Sequence, residues 1–301
     1  MEGGVAMLDE LIIVLIRGVG AGAIYALVGL SFNVAYSASH ILNFAQGNFF
    51  VLGGFIAVMF AGFFAQWTAL PWFIGLPLCA IIVAGLLAFQ GWITLLPLRY
   101  SVEQYSWIIS TMAVSTIIGA LLLIFKGPWS QTAASPFPPV PMLGFLTPAP
   151  YIIAIVLMLF WYFAMTWFLK KTLVGLAISA ISQDLEAARA AGLRVRRLQL
   201  ISFAISGLII GSAGYAVAPI ISIAADTGFN YVLNGFIANV VGGLGSNIGA
   251  VFGGPIVGVV TVLVIYKIGA HYQYAASLLL LVGVLLLRPQ GLFGRTAARK
   301  V

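Results

Sequence analysis

Residues Trp72 to Leu96 read WFIGLPLCAIIVAGLLAFQGWITLL, 25 residues without a charged side chain. A helix needs about 20 predominantly apolar residues to span the hydrocarbon of a bilayer, so this stretch places the chain in lipid. The rest of the sequence agrees. Of 301 residues, 62% are hydrophobic and 7% charged, against about 45–50% and about 25% in soluble domains. Fourteen Lys and Arg with seven Asp and Glu cannot clothe so large an apolar mass in a polar skin. A soluble globular protein is excluded, and the length leaves room for roughly eight to ten spans. The expectation is an all-α, polytopic transmembrane helix bundle formed as one domain over residues 1–301.

Outward from Trp72–Leu96, apolar segments run over Leu11 to Tyr36, Ile41 to Phe64, Trp107 to Phe125 and Tyr151 to Leu169. A polar stretch follows, then Leu198 to Ala218, Phe229 to Tyr266 and Tyr274 to Leu287. Phe229–Tyr266 is broken by Gly242-Gly243-Leu244-Gly245-Ser246. Basic residues concentrate in the central loop 170–198 (Lys170, Lys171, Arg189, Arg194, Arg196, Arg197) and at the end of the chain (Arg295, Arg299, Lys300). Both places therefore belong in the cytoplasm. An even number of crossings must separate them, so Phe229–Tyr266 crosses twice or holds a re-entrant piece. The count is then about nine crossings, with the N-terminus outside and the C-terminus cytoplasmic. The same parity puts Arg99 inside and residues 126–150 outside, where Pro128, Pro136, Pro138, Pro139, Pro141, Pro148 and Pro150 preclude a helix. Glu2, Asp9 and Glu10 precede the first span without a basic n-region, unlike a cleaved secretory signal.

Net charge is +7, but the concentration of the basic residues in the central loop and the C-terminal tail speaks for membrane orientation and against nucleic acid. Cys79 is the single cysteine, sits in an apolar run and reads as packing, with no disulfide framework or metal cluster. Glycines four apart, at Gly18 and Gly22, Gly207 and Gly211, Gly249 and Gly253, and Gly254 and Gly258, let membrane helices approach closely, within one bundle or across a dimer face. Arg17, Lys267 and Arg288 read as interfacial anchors, and His40 and His271 as structural residues near span ends.

Ser182 to Arg197 is the long polar stretch assigned to the cytoplasm. Gln183 to Ala191 reads as a helix of about two and a half turns, capped by Ser182, with acids in its first turn and Gly192 ending it. Leu185, Ala188 and Ala191 then share a small apolar face. Such a face, with Arg194, Arg196 and Arg197 beside it, suits a groove on another protein, or else belongs to a solvated loop helix. Asn43, Gln46 and Asn48 put amides early in the second span, where they must face the bundle interior, a cavity or a helix end. They serve interhelical packing or line a path. Gly242, Gly243, Gly245 and Ser246 permit non-helical backbone as a hinge, a gate-forming turn or a plain loop.

Glu186-Ala187-Ala188, followed after three intervening residues by Gly192, resembles the cytoplasmic EAA motif by which permease subunits of bacterial ABC importers engage their ATPases. The maltose-type form of that motif places an Ile and then Leu-Pro further on. Here Ile201 comes one position early and Phe203-Ala204 replaces Leu-Pro. Asp184-Leu185-Glu186-Ala187-Ala188 followed by Gly192 is instead similar to the branched-chain amino acid permease family (LivH-type). Ile41-Leu42-Asn43-Phe44-Ala45-Gln46-Gly47 resembles that family's Asn-Phe-Ala-His-Gly run, with Gln46 where His is usual. Gly242 to Ser246 with Gly249-Ala250, and Arg288-Pro289-Gln290-Gly291-Leu292-Phe293-Gly294, add two further matches in the right order.

The resemblance implies an inner-membrane ABC importer permease that moves branched-chain or other hydrophobic amino acids, or alternatively urea, amides or other small polar solutes. It implies a second related permease, two ATPase subunits carrying ATP and Mg, and an extracytoplasmic solute-binding protein, with no cofactor on this chain. Asp184, Leu185, Glu186, Ala187, Ala188, Gly192, Arg194, Arg196 and Arg197 would couple to the ATPases. Asn43, Gln46, Asn48, Gly242, Gly243, Gly245 and Ser246 are the candidate path residues. The sequence has no Gly-Lys pair and hence no P-loop of the GxxxxGK[ST] form. An ion-coupled secondary transporter is the rival of another class, but no Asp or Glu lies mid-span, Glu103 and Asp226 both falling in expected loops. Two His, one Cys and no buried acids offer no intramembrane enzyme its nucleophile and base.

Overall fold

The computed structural model describes residues 2–63, 68–98, 106–142 and 144–294; Arg99, Glu103, Arg295, Arg299 and Lys300 lie outside them. The described helices are α1 (Glu2–Ser39), α2 (Gln46–Phe63), α3 (Ala69–Leu98), α4 (Ser106–Lys126), α5 (Ala149–Lys171), α6 (Leu173–Gln183), α7 (Leu185–Ala190), α8 (Val195–Val217), α9 (Thr227–Gly242), α10 (Asn247–Lys267) and α11 (Gln273–Leu287). Eight are long and apolar enough to cross a membrane, α11 together with the short turn before it, and α9 is a shorter ninth rod in the bundle. The proline-rich stretch is irregular apart from a hairpin of β1 (Val140–Met142) and β2 (Phe145–Thr147), but Pro150, expected to preclude a helix, instead lies in the first turn of α5, where a missing N–H costs no helical bond. The chain is a polytopic helical bundle.

In lipid, burying apolar surface does not distinguish one helix contact from another, so close approach and interhelical hydrogen bonds decide the packing. The spaced glycines supply that approach within the chain. A Cβ at Gly22 would lie 2.4 Å from Pro255 Cα, and one at Gly258 2.2 Å from the Gly18 carbonyl, so α1 and α10 touch backbone to backbone. Gly207 does the same for α8 against Ala84 of α3, at 2.5 Å. Large apolar side chains on α3, α4, α5 and α11, such as Ile81, Ile124, Phe163 and Leu286, point outward from the bundle. Cys79 is buried between α2 and α8, as a packing residue would be.

The helix directions resolve the broken segment. Gly18 meets Val259 while Gly29 meets Ala250, so α10 runs antiparallel to α1. Gly253 against Ala238 and Gly249 against Gly242 make α9 antiparallel to α10. Residues 229–266 thus pass through the bundle as a helical hairpin with Gly243–Ser246 as its turn. Glu10 and Lys267 pair at the opposite end, 2.8 Å apart. Arg17 is exposed there beside Phe145–Thr147.

The second apolar segment starts later than its hydropathy implies. Helix α1 ends at Ser39, His40 takes a left-handed φ of 54°, and residues 41–45 turn back without helix until Gln46 opens α2. That opening lies inside the bundle. Gln46 bonds Ser206, the twelfth residue of the 23-residue α8, and Asn48 bonds Ser115, the tenth of the 21 in α4. Non-helical backbone at such depth is tolerated where protein buries it, and Ile41, Asn43 and Ala45 are buried.

Candidate functional site

The cytoplasmic-loop candidates occupy an arm of two short helices. Thr172 caps α6 by accepting from the Gly175 N–H at 3.0 Å. Expected as part of a loop, α6 instead carries one buried edge, Ile178 and Ile181, and one exposed, Leu173 and Leu176. Asp184, not Ser182, caps α7: its Oδ1 accepts from the N–H groups of Glu186 and Ala187, each at 3.0 Å. Ser182 donates to the Ser179 carbonyl inside α6. The expected helix from Gln183 is therefore divided at Asp184, whose extended backbone breaks it. Gly192 ends the arm at φ +80°, a left-handed conformation that glycine adopts without a steric cost.

The small apolar face of α7 does not wait for a partner. Ala188 packs with Ile178, Ile181, Val195, Leu198 and Ala38 of α1, and Leu185 closes over them. Ala191, expected on that face, is exposed. What α7 offers outward is Glu186, Ala187, Arg189 and Ala190, with Arg194, Arg196 and Arg197 following. Glu186 and Arg189 approach at 3.4 Å, an exposed pair that screening leaves nearly worthless for stability. The arm is thus a capped, charged projection anchored to α1 and α8, and those two helices are tied together beneath it by Gln199 Nε2 of α8, which donates to the Ala38 carbonyl at 3.2 Å.

The amide candidates form an interior bracket. Asn43 donates to Gln90 Oε1 at 2.6 Å, and Gln90 passes its own N–H to Thr94 at 2.6 Å. Asn43 Oδ1 accepts from the Ala45 N–H, an Asx-type turn that starts α2. Gln46 donates to Ser206 Oγ at 2.7 Å and to the Ser31 carbonyl at 3.3 Å. Asn48 donates to the Ser115 carbonyl and hydroxyl. All three amides are buried and hydrogen-bonded to residues of other helices. Beside them α9 begins: a Cβ on Gly47 would run into the Gly228 carbonyl, and the Tyr231 ring packs at a tilt against Phe50, centroids 4.7 Å apart.

The glycine-rich candidates sit apart from this bracket, at the α9–α10 turn. Gly243 and Gly245 have φ of +109° and +79°, and Ser246 caps α10 by accepting from the Gly249 N–H at 3.1 Å. The carbonyls that end α9 are capped from elsewhere, Val241 by the Leu292 N–H at 2.9 Å and Gly242 by the Phe293 N–H at 2.8 Å. The Arg288–Gly294 stretch is therefore a strap across the turn. Asn33 of α1 accepts there from Asn239 Nδ2 at 2.7 Å and from the Gly245 N–H at 3.1 Å. Asn33, Asn239, Gln90, Ser31, Ser115 and Ser206 were not singled out from sequence. Their signal was available as lone polar residues within apolar runs, Gln90 and Thr94 one helical turn apart inside the opening stretch.

Among the described residues no three His, Cys, Asp or Glu side chains gather to hold a metal ion. A bundle with eight helices long and apolar enough to cross a membrane, amides joining helices in its interior and a capped, charged arm at one end is that of a multi-pass membrane protein. The profile of the family described as branched-chain amino acid transport system / permease component matches residues 14–287, and the chain belongs to that family. It is similar to the high-affinity branched-chain amino acid transport system permease protein LivH of Salmonella typhimurium, 28% identical over 95% of this chain and 96% of that protein. BraD of Pseudomonas aeruginosa, which bears the same description, is 25% identical over 95% and 97%. LivM of Escherichia coli, described as a permease protein of the same kind of system, is 26% identical over 91% of this chain and 68% of its own length. No solved structure matches the chain.

Proposed function

We propose that this chain is a permease subunit of an ATP-binding-cassette importer for branched-chain or other hydrophobic amino acids. The observation that carries the reading is the α6–α7 arm. Its partner-facing side is charged and exposed, while its inner side is locked to α1 and α8, so a push on α7 moves the bundle as a body. Partner ATPases binding ATP and Mg would supply that push at Asp184–Gly192 and Arg194–Arg197, and an extracytoplasmic binding protein would deliver solute at the opposite end. The related LivM protein supports a second, different permease as the other half of the pair. The arm and the C-terminus then face the cytoplasm, and the N-terminus faces outward.

The path reading is narrower than the sequence suggested. Asn43, Gln46 and Asn48 hold the entrance of α2 where α9 also begins, so they shape a path lined by α2 and α9 without being free to bind solute in this state. The test is a mild-detergent pull-down of the tagged chain from its native host, with mass spectrometry of the co-purifying proteins. A second permease and P-loop ATPases are expected, the ATPases diminished by Glu186→Ala with Gly192→Ala. A stable assembly without any ATPase would overturn the importer reading.

A further inference from the structure

The polar contact between α1, α9 and the α9–α10 turn is incompletely bonded in a way that defines a second arrangement. Asn33 and Asn239 are both 1% exposed. Asn33 Oδ1 accepts twice, from Asn239 Nδ2 and from the Gly245 N–H, while Asn33 Nδ2 and Asn239 Oδ1 have no partner. A buried donor and a buried acceptor are thus left open on the two amides that already touch. Buried polar groups are almost always paired, so such a pair calls for an explanation.

The two open groups are complementary. A small rotation of the amides would let Asn33 Nδ2 donate to Asn239 Oδ1 and form a reciprocal two-bond pair, provided that Asn33 Oδ1 turns away from Gly245. Gly245 is exposed, so its released N–H would bond water and stay satisfied. One arrangement holds the turn to α1 and leaves two buried groups open; the other frees the turn and leaves none. Gly245, at positive φ with nothing within 4 Å of its Cβ position, has room to move while Gly243 stays clamped by the strap.

We propose that Asn33 and Asn239 form a two-position latch on the α9–α10 turn, and that Asn33 is the positioning residue linking this turn to the α7 arm. Asn33 lies five residues before Ala38 on one continuous helix, about 7.5 Å along its axis. Ala38 is packed in the same cluster as Ala188 of α7. Displacement of the arm therefore shifts the end of α1 that carries the latch. The latch stands on the contacts alone; its link to transport rests on the permease reading above.

Amide hydrogen exchange of the full chain in lipid nanodiscs tests the latch without partners or transport. Asn33→Leu removes the acceptor that holds Gly245, and exchange over residues 243–246 is expected to rise about tenfold, as for loss of one ordinary hydrogen bond. Asn239→Leu removes the alternative pair while leaving Asn33 Oδ1 for Gly245, so exchange there is expected to fall. Opposite signs support the latch. Faster exchange in both variants would reduce the pair to a packing contact and overturn it, as would no change in either. Should Asn33→Leu fail to insert, Asn33→Ala is read the same way. The link is then tested in the assembled transporter, where Asn239→Leu is expected to keep ATP hydrolysis and lose transport; unimpaired transport would overturn the link alone.

Discussion

Gly47 and Gly228 meet backbone against backbone, and each would place an added Cβ within 3 Å of the other's main chain. Their contact brings the first turns of α2 and α9 together inside the bundle, with Asn48 lying over Gly228. Both helices are entered through non-helical backbone, residues 41–45 in one case and the turns before Thr227 in the other. The meeting of the first turns of α2 and α9 is therefore a contact that tolerates no side chain.

Gly47→Ala and Gly228→Ala should each destabilise the purified protein, since the obstruction is a main-chain carbonyl or a buried amide that has nowhere to move. Overpacking of this kind costs about 1–3 kcal/mol, read as a lower midpoint of thermal unfolding in detergent. Gly85→Ala is the control. Gly85 lies in α3 with no neighbour within 4 Å, and alanine there should be neutral or raise stability by up to about 1 kcal/mol. Equal losses at all three positions would remove the special status of the Gly47–Gly228 contact.

Gln46 and Ser206 should show coupled energetics. Gln46→Leu leaves Ser206 Oγ without its donor and Ser31 with one bond fewer, whereas the double variant with Ser206→Ala removes both sides together. A double-mutant cycle on unfolding should return a coupling of about 0.5–1.5 kcal/mol, in the range found for hydrogen bonds between membrane helices. Additive effects would mean that the bond is not formed in the membrane.

Helices that bury a continuous apolar run were visible in the sequence, because lipid imposes hydropathy on every span. The start of α2 was not. Ile41, Leu42 and Phe44 are as apolar as any helix residue, and what unwinds them is the left-handed turn at His40 and the bond from Asn43 Oδ1 to the Ala45 N–H. The Asp184–Gly192 motif was legible as residue types, but the burial of its apolar face against this chain was not. Leu185 and Ala188 look the same whether they meet a partner or this chain's own Ile178 and Ile181. Asn43, Gln46 and Asn48 stood out as amides, but their partners Gln90, Ser206 and Ser115 are distant in sequence and only the fold brings them together.

The orientation is open to direct labelling. Ser135 and Ala190 are both exposed, at opposite ends of the bundle on the proposed topology, and the native Cys79 is buried. In a Cys79→Ala background, a membrane-impermeant maleimide added to intact cells should modify Ser135→Cys and spare Ala190→Cys. Inside-out vesicles should give the reverse. Labelling of Ala190→Cys from outside the cell would invert the topology and take the arm away from any cytoplasmic ATPase.

Asp184 separates the capping role from the charge in the arm. Its Oδ1 accepts two N–H groups at the start of α7, so Asp184→Ala should cost about 1 kcal/mol of local stability and let α7 fray. Asp184→Asn keeps the acceptor and removes the charge. If the arm works as a rigid lever, the Asn variant should couple partner ATP hydrolysis to transport nearly as well as the native chain, while the Ala variant hydrolyses ATP with reduced transport. Glu186→Gln offers the converse: its ion pair with Arg189 is exposed, so stability of the isolated chain should move by less than about 0.5 kcal/mol. Co-purification of the ATPase should nevertheless fall, because the lost charge is one presented to the partner. Should Asp184→Asn behave like Asp184→Ala, the carboxylate itself would be the contact, and α7 would act through charge at both positions rather than through the stiffness that its cap provides.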